Sequence, residues 1–299
     1  PTPANGTILN APGMLWRRLK HTALLRISHF SGVAFVLSCN ASGLHSSFSK
    51  SRTNKNLIDN IVVDEVDPYK KPPELLEVSP KGLVPGLKFN NFNPPKALNE
   101  STVILEYLND LAVTSSGRSL LPPATNQYAR ALVRLQCDHI NRSLIPSFYR
   151  YLQAQETDAQ IQGGKEFLDG IEGLVSLFER AEKEVYLDQA SGAAGDGEKK
   201  SLRAGLGLWV EGNEELNLAD VMAGPWLFRA TNVLKHYRGF QLPPSTKFNA
   251  YLERLVDNPA FQRTCSTEQL YLDSYERYAF NRPNTSQVAN AINSGRGLP

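Results

Sequence analysis

The sequence predicts an α/β domain followed by an all-helical domain, and three observations carry that expectation. Up to about residue 99, short apolar and β-branched runs alternate with Gly and Pro, as at residues 33–37 and 57–66. From Ala124 onward, strand signals are few and long amphipathic runs dominate. Between them, residues 114–123 are polar, contain Gly117 and end in Pro122-Pro123, the composition of a linker. The expected organisation is a leader or altered segment over residues 1–32, an α/β domain over 33–113, the linker 114–123, and a helical domain over 124–299.

A chain of 299 residues is long enough to bury two cores. Its net charge of +2 hides an asymmetry, because seven Lys or Arg and no acid precede Asp59. Nucleic-acid binding is not suggested, and no apolar run approaches the ~20 residues of a membrane span. Cys39, Cys137 and Cys265 are odd in number and widely spaced, so they read as reduced thiols of a cytoplasmic protein. No pair of them stands beside a His at ligand spacing, and no metal is expected. The acid-free basic stretch around Met14 to His21 has the composition of an organellar transit peptide, and equally that of an altered exon.

The rest is arranged around residues 67–110. Val84-Pro85 sits at the start of a short apolar run after Gly82, and a proline, which cannot donate to a central ladder, belongs at a strand start or edge. A cis bond there would turn the Val84 amide groups outward toward an extended ligand, although only about 5% of X-Pro bonds in folded proteins are cis. Ser101 stands at the mouth of the apolar helical run of residues 102–108. Glu100 and Ser101 thus offer a carboxylate, a hydroxyl and free amides at the positive end of a helix, which suits a ligand carrying both an ammonium and a carboxylate. Taken alone, Ser101 reads as a plain helix cap.

Residues 71–85, KPPELLEVSPKGLVP, followed by residues 99–108, NESTVILEYL, resemble the second half of the amino-terminal domain of glutathione transferases, most of all the omega-like branch and its fungal members. The resemblance extends over roughly residues 63–299. It implies a thioredoxin-like glutathione-binding domain before the helical one, glutathione as co-substrate without a metal, a small apolar or aromatic second substrate, and a homodimer. It also implies that Val84, before a cis Pro85, pairs its backbone with the cysteinyl part of glutathione. Glu100 and Ser101 would hold the γ-glutamyl end, and Lys71 would reach the glycyl carboxylate. The spacing from Lys71 to Val84 agrees without a gap, and a longer interval before Glu100 is taken up in the turn at residues 90–95.

The same family asks for an apolar strand, then Cys-Pro-Phe or Ser-Pro-Phe opening an amphipathic helix, where the helix end lowers the pKa of a thiol. Residues 33–37 serve as that strand, but the motif is not recognisable after it. Gap-free counting back from residues 67–71 lands on Leu44, which has no such chemistry. Ser46 begins a Ser46-Ser47-Phe48 echo that lacks the proline, and Cys39 follows the strand without the motif. Both are candidate catalytic residues. Their plain readings are a loop serine and a small buried hydrophobe.

In order along the chain, residues 57–66 form the second strand, and Pro72-Pro73 opens a short helix through Glu77. Residues 127–155 have helical spacing, with an interruption at Pro146 surrounded by Phe148, Tyr149 and Tyr151. The resemblance makes this helix a wall of the co-substrate cleft, so Tyr149 and Tyr151 are placed there with Trp226. Core burial is the alternative for each. Residues 170–185 form another helix, and residues 189–207 read as a flexible loop. Asn217 and Asp220 form a capping box, with Leu216 and Val221 as its hydrophobic staple. This resembles the buried folding signature of the family's helical domain, which assigns Asp220 to folding. Residues 247–256 form a helix stopped by Asn258-Pro259, and a Ser266 to Gln269 capping signal opens one carrying Tyr271, Tyr275 and Tyr278.

The expected function is a glutathione-dependent transferase or deglutathionylating thioltransferase acting on small electrophiles or glutathione conjugates. Kinship alone extends this to detoxification or secondary-metabolite processing. In a cysteine-type member the thiolate attacks a mixed disulfide or conjugate; in a serine-type member the hydroxyl only orients the glutathione thiolate, since serine does not ionise usefully without a base. Two alternatives stand beside it: a non-catalytic binding protein for glutathione conjugates or aromatic metabolites, and an inactive chain whose first strand and helix never form.

Overall fold

The computed structural model describes residues 34–39, 61–66, 71–90, 92–116, 118–187 and 196–282. The leader reading of residues 1–32, the candidate Ser46 and the tail beyond residue 282 lie outside them. Four strands form one sheet in the order β2-β1-β3-β4, with β1 Ala34–Cys39, β2 Ile61–Val66, β3 Gly86–Phe89 and β4 Lys96–Asn99. β3 and β4 are antiparallel. Helix α1 (Pro73–Val78) has proline in its first turn and buries Leu75 and Val78 against Val84.

A strand–turn–helix–strand unit would make β1 and β2 parallel, because only a crossover connection returns the chain in the same direction. The structure instead pairs β1 with β2 antiparallel, Ala34 opposite Val66 and Cys39 opposite Ile61, while β1 runs parallel to β3. This difference decides where Cys39 stands.

Helix α2 (Ser101–Ser116) continues three residues into the segment read as linker. Then α3 (Gln127–His139) opens on Asn126, whose side chain accepts from the Ala129 amide. A π turn over Ile140–Leu144 joins α3 to α4 (Ile145–Gln153). Pro146 accounts for the loosened turn: it has no N–H to give the carbonyl four residues back, and its ring crowds that carbonyl. The ladder slips to a wider bond, from the Ile145 amide to the Ile140 carbonyl.

Helix α5 spans Thr157–Ala181, beginning well before the expected residue 170. Gly163 lets α5 approach α4 closely, since a Cβ there would stand 2.8 Å from the Tyr151 Cα. Part of the expected loop is helix α6 (Asp196–Gly205), followed by a short 3-10 turn at Gly207–Trp209. Leu202 of α6 and Leu206 just after it complete a small cluster with Ala129, Leu132, Val185 and Val210. The remaining helices are α7 (Leu218–Arg229), α8 (Lys235–Arg238), α9 (Thr246–Asp257), α10 (Pro259–Gln262) and α11 (Glu268–Ala279). Helix α11 is capped by Thr267, one residue after the expected Ser266. A single buried cluster runs from Leu87, Ile104 and Leu105 into Val133, Ile140 and Phe148, each large side chain contributing about 1.5–3 kcal/mol.

Candidate binding site

Ser79 ends α1 and builds the approach to Val84. Its carbonyl accepts from the Gly82 amide at 2.7 Å, and its buried hydroxyl accepts from the Leu83 amide at 3.1 Å. Gly82 stands at φ 63°, which glycine adopts without cost. The Lys71 side chain lies across it, so that a Cβ on Gly82 would come within 2.7 Å of Lys71 Cδ and 3.1 Å of its Nζ. The Val84-Pro85 bond is cis, with Pro85 buried and Val84 half-buried.

The register of β3 and β4 pairs Gly86 with Asn99. The next residue off each strand is therefore Pro85 on one side and Glu100 on the other, leaving the ladder side by side at the ~5 Å spacing of adjacent strands. Glu100 stands at φ 69°, a left-handed conformation that costs a residue with a side chain about 1–2 kcal/mol. Its carbonyl accepts from the Ile104 amide at 3.0 Å and so begins α2, while its side chain is exposed. Ser101 is the first residue of the helix rather than its cap. Neither its hydroxyl nor the Glu100 carboxylate is spent on a side-chain bond among the described residues, so hydroxyl, carboxylate and the orphan amides of the first turn share one place.

Among the described residues, side-chain hydrogen bonds join α2 to the helical part. Arg134 donates two hydrogen bonds to Glu106, each 3.0 Å long. Asn141, carried by the π turn, donates to the Thr102 hydroxyl at 3.2 Å, next to Ser101. The sequence marked Pro146 as an interruption but gave no sign that the interruption would steady the mouth of α2.

Cys39 is not brought to this group. Its backbone pairs with Phe89 at the end of β3 remote from Pro85, whereas the β1 residue beside Gly86 is Val36. Three residues of strand separate the two ends, about 10 Å. Burial pushes the Cys137 thiol far up and the Cys265 thiol up to about 11, so neither is a thiolate near neutral pH.

On the helical side, Tyr149 and Trp226 meet and Tyr151 does not join them. The Tyr149 ring lies 5.5 Å from that of Trp226, 5.6 Å from Phe148 and 5.7 Å from Tyr278. Burial, then the neighbouring Tyr275 and Tyr278, holds its phenol well above the usual range. The Arg229 guanidinium lies over Trp226 at 5.2 Å and Tyr271 at 5.4 Å. Two positions along a helix face opposite ways, and Tyr151 accordingly packs on Phe240 and donates its hydroxyl to the Arg238 carbonyl at 3.0 Å. That spacing was in the sequence and excludes a shared wall.

Asp220 is fully buried and occupied with folding. Its Oδ2 accepts from the Asn217 and Leu208 amides, both at 2.9 Å, and its Oδ1 from the Tyr251 hydroxyl at 3.0 Å. The Asn217 side chain returns the bond to the Asp220 amide at 2.8 Å. Among the described residues, no group of three or more His, Cys, Asp or Glu could hold a metal ion, and no helix is long and apolar enough to cross a membrane.

Residues 52–111 match the family described as "Glutathione S-transferase, N-terminal domain". Over 87 residues the chain is 34% identical to maleylacetoacetate isomerase of Aspergillus fumigatus, a match that spans 29% of this chain and 37% of that protein. Among solved structures, a rice glutathione transferase in complex with glutathione is 19% identical with a TM-score of 0.53, covering 74% of this chain and 86% of its own. Glutathione transferase Omega 2C of Trametes versicolor is 21% identical with a TM-score of 0.50, covering 72% and 85%.

Proposed function

We propose that this chain, whose residues 52–111 match the glutathione S-transferase amino-terminal domain and which has a thioredoxin-like domain followed by a helical one, binds glutathione at the Val84–Ser101 corner and joins it to small electrophiles, or removes it from conjugates. The register of β3 and β4 carries the reading, since it sets Glu100-Ser101 beside the cis Val84-Pro85 bond with Lys71 folded over the same turn. In this reading the Val84 backbone pairs with the cysteinyl unit, and Glu100 meets the γ-glutamyl ammonium. Ser101 and the first amides of α2 take the γ-glutamyl carboxylate, and the Lys71 ammonium takes the glycyl carboxylate. Tyr149 and Trp226 line the apolar or aromatic co-substrate.

The finer parts of the proposal are a homodimer, an omega-like subclass, a cytoplasmic location, and a role in detoxification or secondary-metabolite processing. The exposed Val103 and Val113 of α2, with Tyr128 and Leu135 of α3, support the homodimer. The remaining parts rest on likeness to fungal members. The domain limits 33–113 and 124–299, with their linker, belong to the same reading.

A second reading, glutathione-conjugate binding without turnover, is favoured by the position of Cys39 away from Pro85 and by the two raised thiols. Calorimetric titration with glutathione tests the site, and conjugation and thiol-transfer assays on the same sample separate the readings. Binding with either activity supports the enzyme. Binding with neither supports the carrier, and no binding removes both.

A further inference from the structure

The carboxyl-terminal end of α4 is closely bonded in its backbone and has one side chain left over. Arg238 donates to the carbonyls of Tyr151 and Leu152, and Gln155 donates to those of Gln153 and Ala279. Gln160 serves the Ala154 carbonyl. These contacts fix α4 against the end of α11, one residue from Tyr278. Gln153 takes no part with its side chain. The residue is 5% exposed, yet neither its Oε1 nor its Nε2 has a hydrogen-bond partner.

A carboxamide buried without partners is costly, and native interiors rarely leave both of its atoms unmet. Gln153 lies four residues after Tyr149, one turn further along the same face of α4, where side chains stand about 5–6 Å apart at Cβ. On that face Tyr149 is in ring contact with Trp226 and with Tyr278. A nearly buried aromatic cluster, with Tyr149 6% and Trp226 8% exposed, therefore stands one helical turn from one unspent donor and one unspent acceptor held in one carboxamide plane.

We propose that Gln153 determines the selectivity of this aromatic site by pairing, through both atoms of its carboxamide, with a planar aromatic that carries an acceptor and a donor on one edge, as an aromatic lactam or amide does. The inference rests on reading Tyr149 and Trp226 as the co-substrate wall. The two partners form a closed pair of hydrogen bonds, Nε2–H to the ligand carbonyl and ligand N–H to Oε1, while the ring lies against Tyr149 and Trp226. No bond is made or broken by Gln153, which acts as a specificity-determining residue.

The test measures binding of 2-quinolone, N-methyl-2-quinolone and naphthalene to the full chain in the presence of glutathione, by calorimetry and tryptophan fluorescence. Wild type is expected to prefer 2-quinolone over naphthalene by about tenfold or more, with the N-methyl compound losing most of that preference. In Gln153→Leu and Gln153→Met the preference falls to about onefold, while affinities for naphthalene and glutathione hold and the melting temperature stays level or rises, because an unmet buried amide is gone. No preference in wild type, a preference retained in both variants, or a lowered melting temperature in both would overturn the assignment, the last by making the carboxamide a structural group. Failure of all three aromatics to bind a glutathione-loaded protein would instead remove the co-substrate wall itself, and the inference with it.

Discussion

Helices α2 and α7 begin in opposite ways. At the start of α7, every acceptor is committed: Asn217 and Asp220 bond each other's amides, and Asp220 also holds the Leu208 amide and the Tyr251 hydroxyl in a fully buried place. At the start of α2, Glu100 is held in a left-handed conformation, and the acid and hydroxyl beside the first amides make no side-chain bonds among the described residues. The same element serves folding where its orphan amides are satisfied from within, and can serve recognition where they are not.

The harshest way to break this contrast is Asp220→Ala. It strands two amides and a phenol in the core, and the expected loss is about 3–5 kcal/mol of stability, read by urea unfolding. Glutathione affinity of the remaining folded protein should be unchanged. A loss under 1 kcal/mol would show that α7 does not depend on its cap.

The same carboxyl gives a pH test. Burial pushes Asp220 up to about 6 from its ordinary 3.8, outweighing the amide and hydroxyl donors that pull it down. A carboxyl raised in the folded state contributes stability that is fully present below pH 4 and is lost as pH rises through about 6. At about 1.4 kcal/mol per pH unit of difference, roughly 3 kcal/mol is involved. Asp220→Asn should flatten that fall between pH 4 and 6 in unfolding titrations. An unaltered slope would mean that Asp220 does not titrate there.

At α2 the effect should appear in binding. Ser101→Ala and Lys71→Ala are each expected to weaken glutathione by about tenfold or more, the scale of a lost charge-assisted contact, with stability within about 0.5 kcal/mol of wild type. Calorimetry and thermal melting on the same samples read the two quantities separately. Equal affinity in both variants would refute the assignment of the corner.

The two helix starts were also unequally legible. A capping box is a signal confined to four adjacent residues, so Asn217 and Asp220 could be read directly. The cis Val84-Pro85 bond and the Glu100-Ser101 pair were recognisable as motif, but not the backbone strain at Glu100. What escaped the sequence depends on residues far apart. The direction of β1 is set by its partners rather than by residues 33–37, and it carries Cys39 away from Pro85. The π turn brings Asn141 to Thr102 only because α2 happens to pass there. Residues 196–206 read as loop, yet Leu202 and Leu206 find a cluster supplied by α3 and Val185.

The finest test places glycine at both helix starts. At Glu100, with φ 69°, glycine removes the cost of a Cβ in the left-handed region, and stability should rise by about 1 kcal/mol. At Asn217, with φ −101°, no strain exists to relieve, and the loss of the side-chain acceptor should lower stability by a few tenths of a kcal/mol or more. Glu100→Gly should also weaken glutathione, because the carboxylate that meets the ammonium is gone, whereas Asn217→Gly should leave affinity alone. Opposite signs in stability with an affinity change at only one site would mean that the strain at Glu100 is maintained for the ligand. Matching signs would make the left-handed Glu100 an ordinary feature of the turn into α2.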